Sequence, residues 1–470
     1  MKRIAIIGGG ISGLSAAFTL EEKRQSGAPI EYAVFESSPR LGGVVRTERV
    51  DGCIVEAGPD SFLTEKPWCT DLCRKIDLGA QLIGSNDSER KTYIVSKGKL
   101  VEMPDGLMFM VPTKVRPAVF SPLFSWRTKM RMAVEWFHLP RKTSGDETVA
   151  DMVERHYGSE MVSLLADPLL CGIYGGDASQ LSVRAVLPRF ADMESKHGSL
   201  GRAMLKARKK MSNEANVPAR PLFTSLKDGM QQMIAGLVAR LDADSLKKSA
   251  PVQSVIRQDD GWTVCAGYHT DHFDAVIIAT PAHAASEMLQ TVDENLSLAL
   301  GEIKYSSSVT VTLGYDEKVR RSLPPGFGFL VPRSEGRRLL AATFVHNKFP
   351  HRAPENRALI RCFLGGARDD QIQQTSEKEI LEIVRGELRH IVGVNADPLF
   401  ARVFKWKSSM AQYSVGHLER LQRIESLCRK TTGLALAGNG YNGIGVPDCV
   451  RSGADAAGKI LTEMAMWSAA

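Results

Sequence analysis

Three observations predict an α/β protein built around a discontinuous Rossmann-type dinucleotide-binding domain, joined by an α+β substrate-binding domain and a mainly helical insert. The apolar run Ile4–Ile7 leads straight into Gly8-x-Gly10-x-x-Gly13. A second strand-like run, Ile30–Phe35, apolar but for Glu31, ends on the acid Glu36. Two short apolar runs come late, Ala275–Ala279 before Thr280-Pro281, and Leu434–Ala437 before a glycine-rich turn. Strand, glycine turn, helix and strand make a βαβ unit, and parallel strands buried on both faces read as unbroken apolar runs.

In chain order, residues 3–7 read as a strand, Ser12 to about Glu22 as a helix, and Ile30–Glu36 as a second strand. Residues 76–220 read as largely helical, because apolar residues recur at helical spacing between basic turns. Residues 286–424 hold alternating runs, such as Val309–Leu313 and Ala358–Phe363, which predict an antiparallel sheet. A final helix is expected from about Cys449. The cofactor domain would then collect residues 1–75, 221–285 and 425–470. Residues 76–220 would line the substrate entrance, and residues 286–424 would form the substrate-binding sheet.

Composition excludes several classes. The 470 residues are 43% hydrophobic and 24% charged, an ordinary globular balance. No run of about 18 apolar residues is present, so no spanning helix is expected. Met1-Lys2-Arg3 before Ile4 could head a signal peptide, but glycines follow at once. The protein is therefore expected to begin at Met1 and to be cytoplasmic, at most peripheral to the inner face of the cell membrane. Eight cysteines in such a chain read as scattered buried thiols, with no metal set among them. The net charge of +7 includes two basic stretches, Arg127, Lys129, Arg131 and Arg202, Lys206, Arg208, Lys209, Lys210. These suit a solvated surface first, an anionic substrate or membrane second, and nucleic acid least, since no nucleic-acid motif accompanies them. The Met-, Phe- and Trp-rich segment Leu107–Pro140 is expected to pack on the substrate domain rather than to rest on a membrane.

The first glycine of the fingerprint permits a tight turn, the second lets backbone approach a pyrophosphate, and the third lets the helix pack on the sheet. Gly8, Gly9, Gly10, Ile11, Ser12 and Gly13 are thus candidate cofactor contacts. Glu36, followed by Ser37, stands where a carboxylate can bind both ribose hydroxyls, and no arginine there compensates a 2′-phosphate. Arg40-Leu41-Gly42-Gly43 comes next, with arginines able to meet phosphate, and then Gly58-Pro59-Asp60-Ser61.

These last two motifs resemble those of the flavin amine oxidase superfamily, which implies FAD, held non-covalently. The resemblance implies that Val252 holds the adenine through its backbone. It also places the glycine-rich loop Gly438 to Val446, including Ile444 and Gly445, near the flavin ring, where amides and a helix start stabilise negative charge. The stretches Gly58–Phe62, Cys171–Asp177, Gly326–Pro332 and Gly443–Cys449, with Trp406 and Gln412-Tyr413, are similar to the porphyrinogen oxidases of haem synthesis. That likeness runs from Arg3 to the last helix and is nearest to the soluble Gram-positive type. It implies an FAD-dependent, oxygen-consuming six-electron oxidation of coproporphyrinogen III to coproporphyrin III, with protoporphyrinogen IX as a further substrate. Phe327 and Leu330 would clamp the macrocycle, Gly172 with Ile173 would line the other side, and Phe363 would be a further substrate contact. Lys66 would meet a propionate where plant and animal relatives carry arginine. No acid–base group is assigned as catalytic. The partners implied are the tetrapyrrole, O₂ and the next haem-pathway enzyme. An amine oxidase or desaturase of the same superfamily, and a flavin-binding sensor without turnover, are the competing readings.

Overall fold

The computed structural model describes residues 1–141, 145–213 and 220–467. One layer is a five-stranded parallel sheet in the order Leu246–Lys247, Ile30–Phe35, Lys2–Ile7, Ala275–Ile278, Leu434–Leu436. Ile4 stands opposite Tyr32 on one side and Ala275 on the other. Both faces of the sheet are covered, which is why Ile4–Ile7, Tyr32–Phe35 and Ala275–Ile278 are apolar. Ile4, Ile6 and Val34 pack with Leu14 and Ala17 of the first helix and with Ile460 and Met464 of the last. Ala5, Ile7, Val276 and Ile278 pack on the other side with Trp262, Phe273 and Leu289. The first helix runs Ile11–Gln25 and the last Val446–Trp467, the latter starting three residues before the expected Cys449. A Cβ on Gly453 would sit 2.0 Å from the Ser12 carbonyl oxygen, so this glycine lets the two helices cross closely.

The second layer is a seven-stranded sheet. Its order is Phe400–Ala411, Tyr305–Asp316, Arg357–Gly365, Leu339–Phe344, Gly328–Leu330, Thr92–Ser96, Lys99–Glu102. All pairs are antiparallel except Gly328–Leu330 with Thr92–Ser96. Along each strand the alternation sorts side chains onto two faces. Val309, Val311, Ile360 and Cys362 pack on Ile380, Val384 and Leu388 of the helix Glu377–Val392. The opposite face carries Thr310, Arg361 and Trp406 toward residues 56–61.

Two expectations need correction here. The stretch 76–220 does not start as helix. Thr92–Ser96 and Lys99–Glu102 form a hairpin across Lys97-Gly98, both at positive φ (54° and 72°), as a two-residue turn of this hand requires. Helices take over from Val115, with Trp126–Glu135, Val149–Tyr157, Asp167–Tyr174, Pro188–His197 and Leu200–Asn213. The second correction concerns Leu107–Pro140. Met110, Val111, Phe124 and Met132 do pack inward, yet Phe120, Trp126, Phe137 and Leu139 are exposed. Periodicity alone could not separate these, because the helix Trp126–Glu135 carries apolar residues on both sides. In the second basic stretch, the side chains of Arg208 and Lys210 lie outside the described residues, as do residues 468–470 of the expected cofactor domain. The eight cysteines are all free thiols, seven of them buried. Among the described residues, no helix is long and apolar enough to cross a membrane.

Candidate functional site

The first glycine turn is shaped by steric necessity. Gly8 has φ +110°, and a Cβ on it would sit 2.7 Å from the Ala279 carbonyl oxygen. A Cβ on Gly13 would sit 1.9 Å from the Gly8 oxygen, so only glycine allows the helix this close to the turn. Gly10 is different: nothing lies within 4 Å of where its Cβ would point. Gly10 is also the N-cap of the first helix, no side chain caps that helix, and its first turn has no acid. Open space over uncapped amides at a helix start is a ready anion site.

Glu36 sits beside this space. Its carboxylate accepts from the Gly9 amide (2.8 Å), the Ser38 amide (2.8 Å) and the Ser37 hydroxyl (3.3 Å). The Ala250 amide donates to the Glu36 carbonyl at 2.9 Å, which brings the start of the Val252–Gln258 strand alongside. The Gly42 amide donates to the Gly9 carbonyl (2.8 Å), and a Cβ on Gly43 would meet the Gly10 Cα at 3.3 Å. Gly42-Gly43 therefore folds directly over the fingerprint. Arg40, expected at a phosphate, donates instead to the carbonyls of Leu41, Gly43 and Val45 and braces this turn. Open amides and a fixed carboxylate at the strand end fit the ADP half of a dinucleotide.

The next segment, Glu56–Ser61, is pinned by charge. Glu56 is buried, pairs with buried Arg352, and accepts from the Met230 amide (2.8 Å) and the Thr47 hydroxyl (2.7 Å). The Ala57 carbonyl accepts from the Trp406 indole (2.9 Å) and the Thr310 hydroxyl (2.8 Å). Arg361 donates to the Gly58 carbonyl, and a Cβ on Gly58 would sit 1.9 Å from the Val44 oxygen. Asp60 accepts from Lys348 (3.1 Å) and Ser61 (2.7 Å). Burial raises the Asp60 pKa, but the nearby Lys348 and Arg361 cations outweigh it and hold the carboxyl well below its usual range. Lys348, Arg352 and Arg361 are residues the sequence reading missed. The one hint was Arg361 inside the apolar run Leu359–Phe363.

The C-terminal loop is clamped by Tyr413. Its hydroxyl donates to the Asn439 carbonyl and accepts from the Gly443 amide, each at 2.8 Å, and its ring stacks 4.0 Å from His417. Gly438 and Gly443 have φ of +133° and +125°. Asp448, in the first turn of the last helix, accepts from the Gly445 amide (3.3 Å) and from Lys66 (2.5 Å). A buried carboxylate there complements the positive helix end. Lys66 is thus tied to this loop, while its side chain keeps 38% exposure. Ile444, Gly445 and Val446 lie at this junction. Cys449 follows in the helix, and burial pushes its thiol up to about 12, which keeps it protonated and unreactive.

The expected pocket residues fall into two groups. Gly172, in the helix Asp167–Tyr174, points its Cα hydrogen at Leu330, 3.8 Å from where a Cβ would be. Leu330 and Ile444 border the same apolar cluster, which includes Leu170, and Ile173 is exposed. Phe363 lies elsewhere, on the sheet face that carries Trp406, with the Arg361 guanidinium 4.9 Å from its ring. Phe327 is buried, its backbone held by Lys91 and Phe344. The Gly175-Gly176-Asp177 motif has a local reason. Gly175 is the left-handed C-cap of the Gly172 helix, and Asp177 accepts from Ser179 and pairs with Arg333 at 3.2 Å.

Two other features are structural. Glu135, His138 and His156 bring ligand-type atoms within 4.8 Å of one another. His156 lies 3.1 Å from both Glu135 and Glu194, and Glu135 accepts from the Leu200 amide and the Ser199 hydroxyl at the start of the Leu200 helix. Burial lowers the His156 pKa, but the two carboxylates raise it more, so the triad is a satisfied ion group. An open cleft of about 590 Å³ includes Arg337, Arg338 and Arg368 in its lining. These pair with Glu387, Asp369 and Asp167, so their charge is already met.

The flavin containing amine oxidoreductase family model matches residues 11–461. Coproporphyrinogen III oxidase of Bacillus subtilis (strain 168) is 34% identical over 475 residues, covering 98% of each chain. Protoporphyrinogen oxidase 2, chloroplastic/mitochondrial, of Arabidopsis thaliana is 27% identical, over 98% of this chain and 94% of its own. A crystal structure of a provisionally assigned protoporphyrinogen oxidase from Exiguobacterium sp. 255-15 superposes with a TM-score of 0.88 at 29% identity, covering 98% of this chain and 99% of that one.

Proposed function

From the premise that this chain belongs to the flavin containing amine oxidoreductase family, we propose that it holds FAD non-covalently and oxidises coproporphyrinogen III to coproporphyrin III in haem synthesis, with O₂ as electron acceptor. The observation that carries this reading is the likeness to the Bacillus subtilis enzyme, 34% identical along 98% of both chains. The FAD assignment is supported by the uncapped start of the first helix and the Glu36 carboxylate beside it.

When bound, FAD would supply two-electron oxidation at the expense of O₂, which would be reduced to H₂O₂, and three such rounds would account for the six hydrogens. The chain's own residues position and enclose. The fingerprint amides would hold the pyrophosphate and Glu36 the ribose. The Glu56–Ser61 segment and the Tyr413-clamped loop would fix the flavin from two sides. The Gly445 amide and the start of the last helix would oppose negative charge on the pyrimidine side of the ring, with Asp448 limiting that effect. Gly172 and Leu330, expected on opposite sides of the substrate, lie in near contact and would together form one apolar wall for a flat macrocycle, and Lys66 would reach a propionate. Orientation, not proton transfer, is the main contribution.

The test is direct. Purified protein is mixed with coproporphyrinogen III in air, and porphyrin fluorescence and H₂O₂ are followed. Fluorescence growth well above autoxidation is expected, with a higher kcat/KM than for protoporphyrinogen IX. Growth at the autoxidation rate, together with rapid bleaching of the flavin by an amine, would assign the chain to an amine-oxidising branch instead.

A further inference from the structure

A small cavity of about 10 Å³ lies against the buried strand Cys53–Glu56. Its polar lining is Glu56, Asp60, Thr312, Arg352 and Arg361. Thr312, Arg352 and Arg361 are 1%, 1% and 4% exposed. Each buries one polar atom that meets no partner in the protein: the Thr312 hydroxyl, Arg352 Nε and Arg361 Nε. The other ends of both guanidinium groups are engaged. Arg352 donates to Glu56, the Ser225 hydroxyl and the Leu226 carbonyl. Arg361 donates to the Gly58 carbonyl and lies 3.9 Å from Asp60. Strand register sets Thr312 directly opposite Arg361, so the two share one face of the sheet. Thr310, on that same face, directs its hydroxyl to the Ala57 carbonyl. Thr312 has no such carbonyl, although valine would suit the apolar run Val309–Leu313 equally well.

A buried Nε–H can only donate, and three unpaired polar atoms around one cavity require a partner. We propose that the cavity is a site for one water molecule. It accepts from Arg352 Nε and Arg361 Nε and donates to the Thr312 oxygen. Its second hydrogen is left for a carboxylate of Glu56 or Asp60, which share the lining. The volume and the number of polar neighbours are those an internal water requires. A halide fits less well, because it only accepts and would face both carboxylates. Through this water Thr312 is a positioning residue: it steadies the Arg361 guanidinium, which holds the Gly58 carbonyl. The water thus joins the turn Pro350–Arg352 to two strands of the seven-stranded sheet and, through Arg361, to the Glu56–Ser61 segment. The site goes beyond the proposed reaction and stands without it.

The experiment is diffraction from crystals of the full chain, at a resolution that shows internal water. The wild type is expected to give one density peak about 2.7–3.2 Å from Arg352 Nε, Arg361 Nε and the Thr312 oxygen. Thr312→Val should lose that peak and let the Arg361 guanidinium move off the Gly58 carbonyl, while Thr312→Ser should keep both. In urea, Thr312→Val should lower the folding equilibrium constant by ~10-fold, because the side-chain shape is kept and only the hydroxyl is removed. The wild-type density alone decides the site if Thr312→Val fails to fold. No peak in the wild type overturns the proposal. So does a peak with anomalous signal from crystals grown in bromide, which marks an anion, or an unmoved peak and an unmoved Arg361 in Thr312→Val.

Discussion

Glu36 accepts three hydrogen bonds that aim its two oxygens at the open end of the glycine turn. Glu36→Ala should therefore weaken FAD retention by ~10- to 100-fold, the range for losing charge-assisted hydrogen bonds. The ratio of flavin to protein absorbance after dialysis measures it. Lys66 combines two duties in one side chain, since it pairs with Asp448 and would face the substrate's carboxylates. Lys66→Ala should raise KM for coproporphyrinogen by about tenfold and lower kcat less, while Lys66→Arg should restore KM. Equal KM in all three proteins would remove Lys66 from substrate binding. Glu36 and the glycines could be read from the sequence because their task is a backbone restriction at fixed spacing. Arg352 could not. It meets Glu56 across 296 positions, and an arginine earns that partner only when the sheet has formed. Arg40 and Trp406, both named as cofactor contacts, serve backbone carbonyls in the folded chain: Arg40 those of its own turn, Trp406 that of Ala57.

At the scale of elements, the Glu56 strand is held by one ion pair at full burial. Removing the Arg352 cation leaves a buried carboxylate without its direct partner and with only the charge of Arg361 nearby, at a cost of about 3–5 kcal/mol. Arg352→Met should show that loss in urea unfolding, and adding Glu56→Gln should recover part of it. The helical region has its own charged joint. His156, between Glu135 and Glu194 and near Arg155, His138 and Arg141, has its pKa raised above 6.5 in the folded state. A raised folded value means that the stabilisation is complete below about 6.5 and is lost as pH rises through the folded value. The melting temperature of wild type minus that of His156→Gln should thus be largest in mild acid and shrink toward alkaline pH. A difference that grows with pH would refute the charged imidazole. Apolar runs revealed the parallel strands, and alternation revealed Val309–Leu313. The Thr92–Glu102 hairpin escaped because it is short and stands ahead of a long helical stretch; its contiguous Tyr93-Ile94-Val95 and the Lys97-Gly98 turn were the signals to weigh.

At the scale of the molecule, the expected cofactor contacts lie on three surfaces: the fingerprint turn, the Glu56–Ser61 segment and the C-terminal loop. A ligand touching all three ties distant segments together and stabilises only the folded state. Saturation at about 100 times the dissociation constant is worth ~2.7 kcal/mol, so flavin-free protein should melt several degrees lower and regain the difference on adding FAD. Addition of FMN, which lacks the adenosine half, should restore little.

The close crossing at Gly453 and Ser12 has a consequence for how the chain comes into being. A ribosome delivers Ile4, Leu14 and Ala17 at the outset, but their cover, Ile460 and Met464, arrives almost last. The central strand also waits for Ala275–Ile278. The parallel-sheet half therefore stays unsealed while all the residues between these segments are translated, and a nascent chain halted before the Val446–Trp467 helix presents a bare apolar face. Chaperone dependence, and the solubility of C-terminally cut products, should track that helix more closely than any other element.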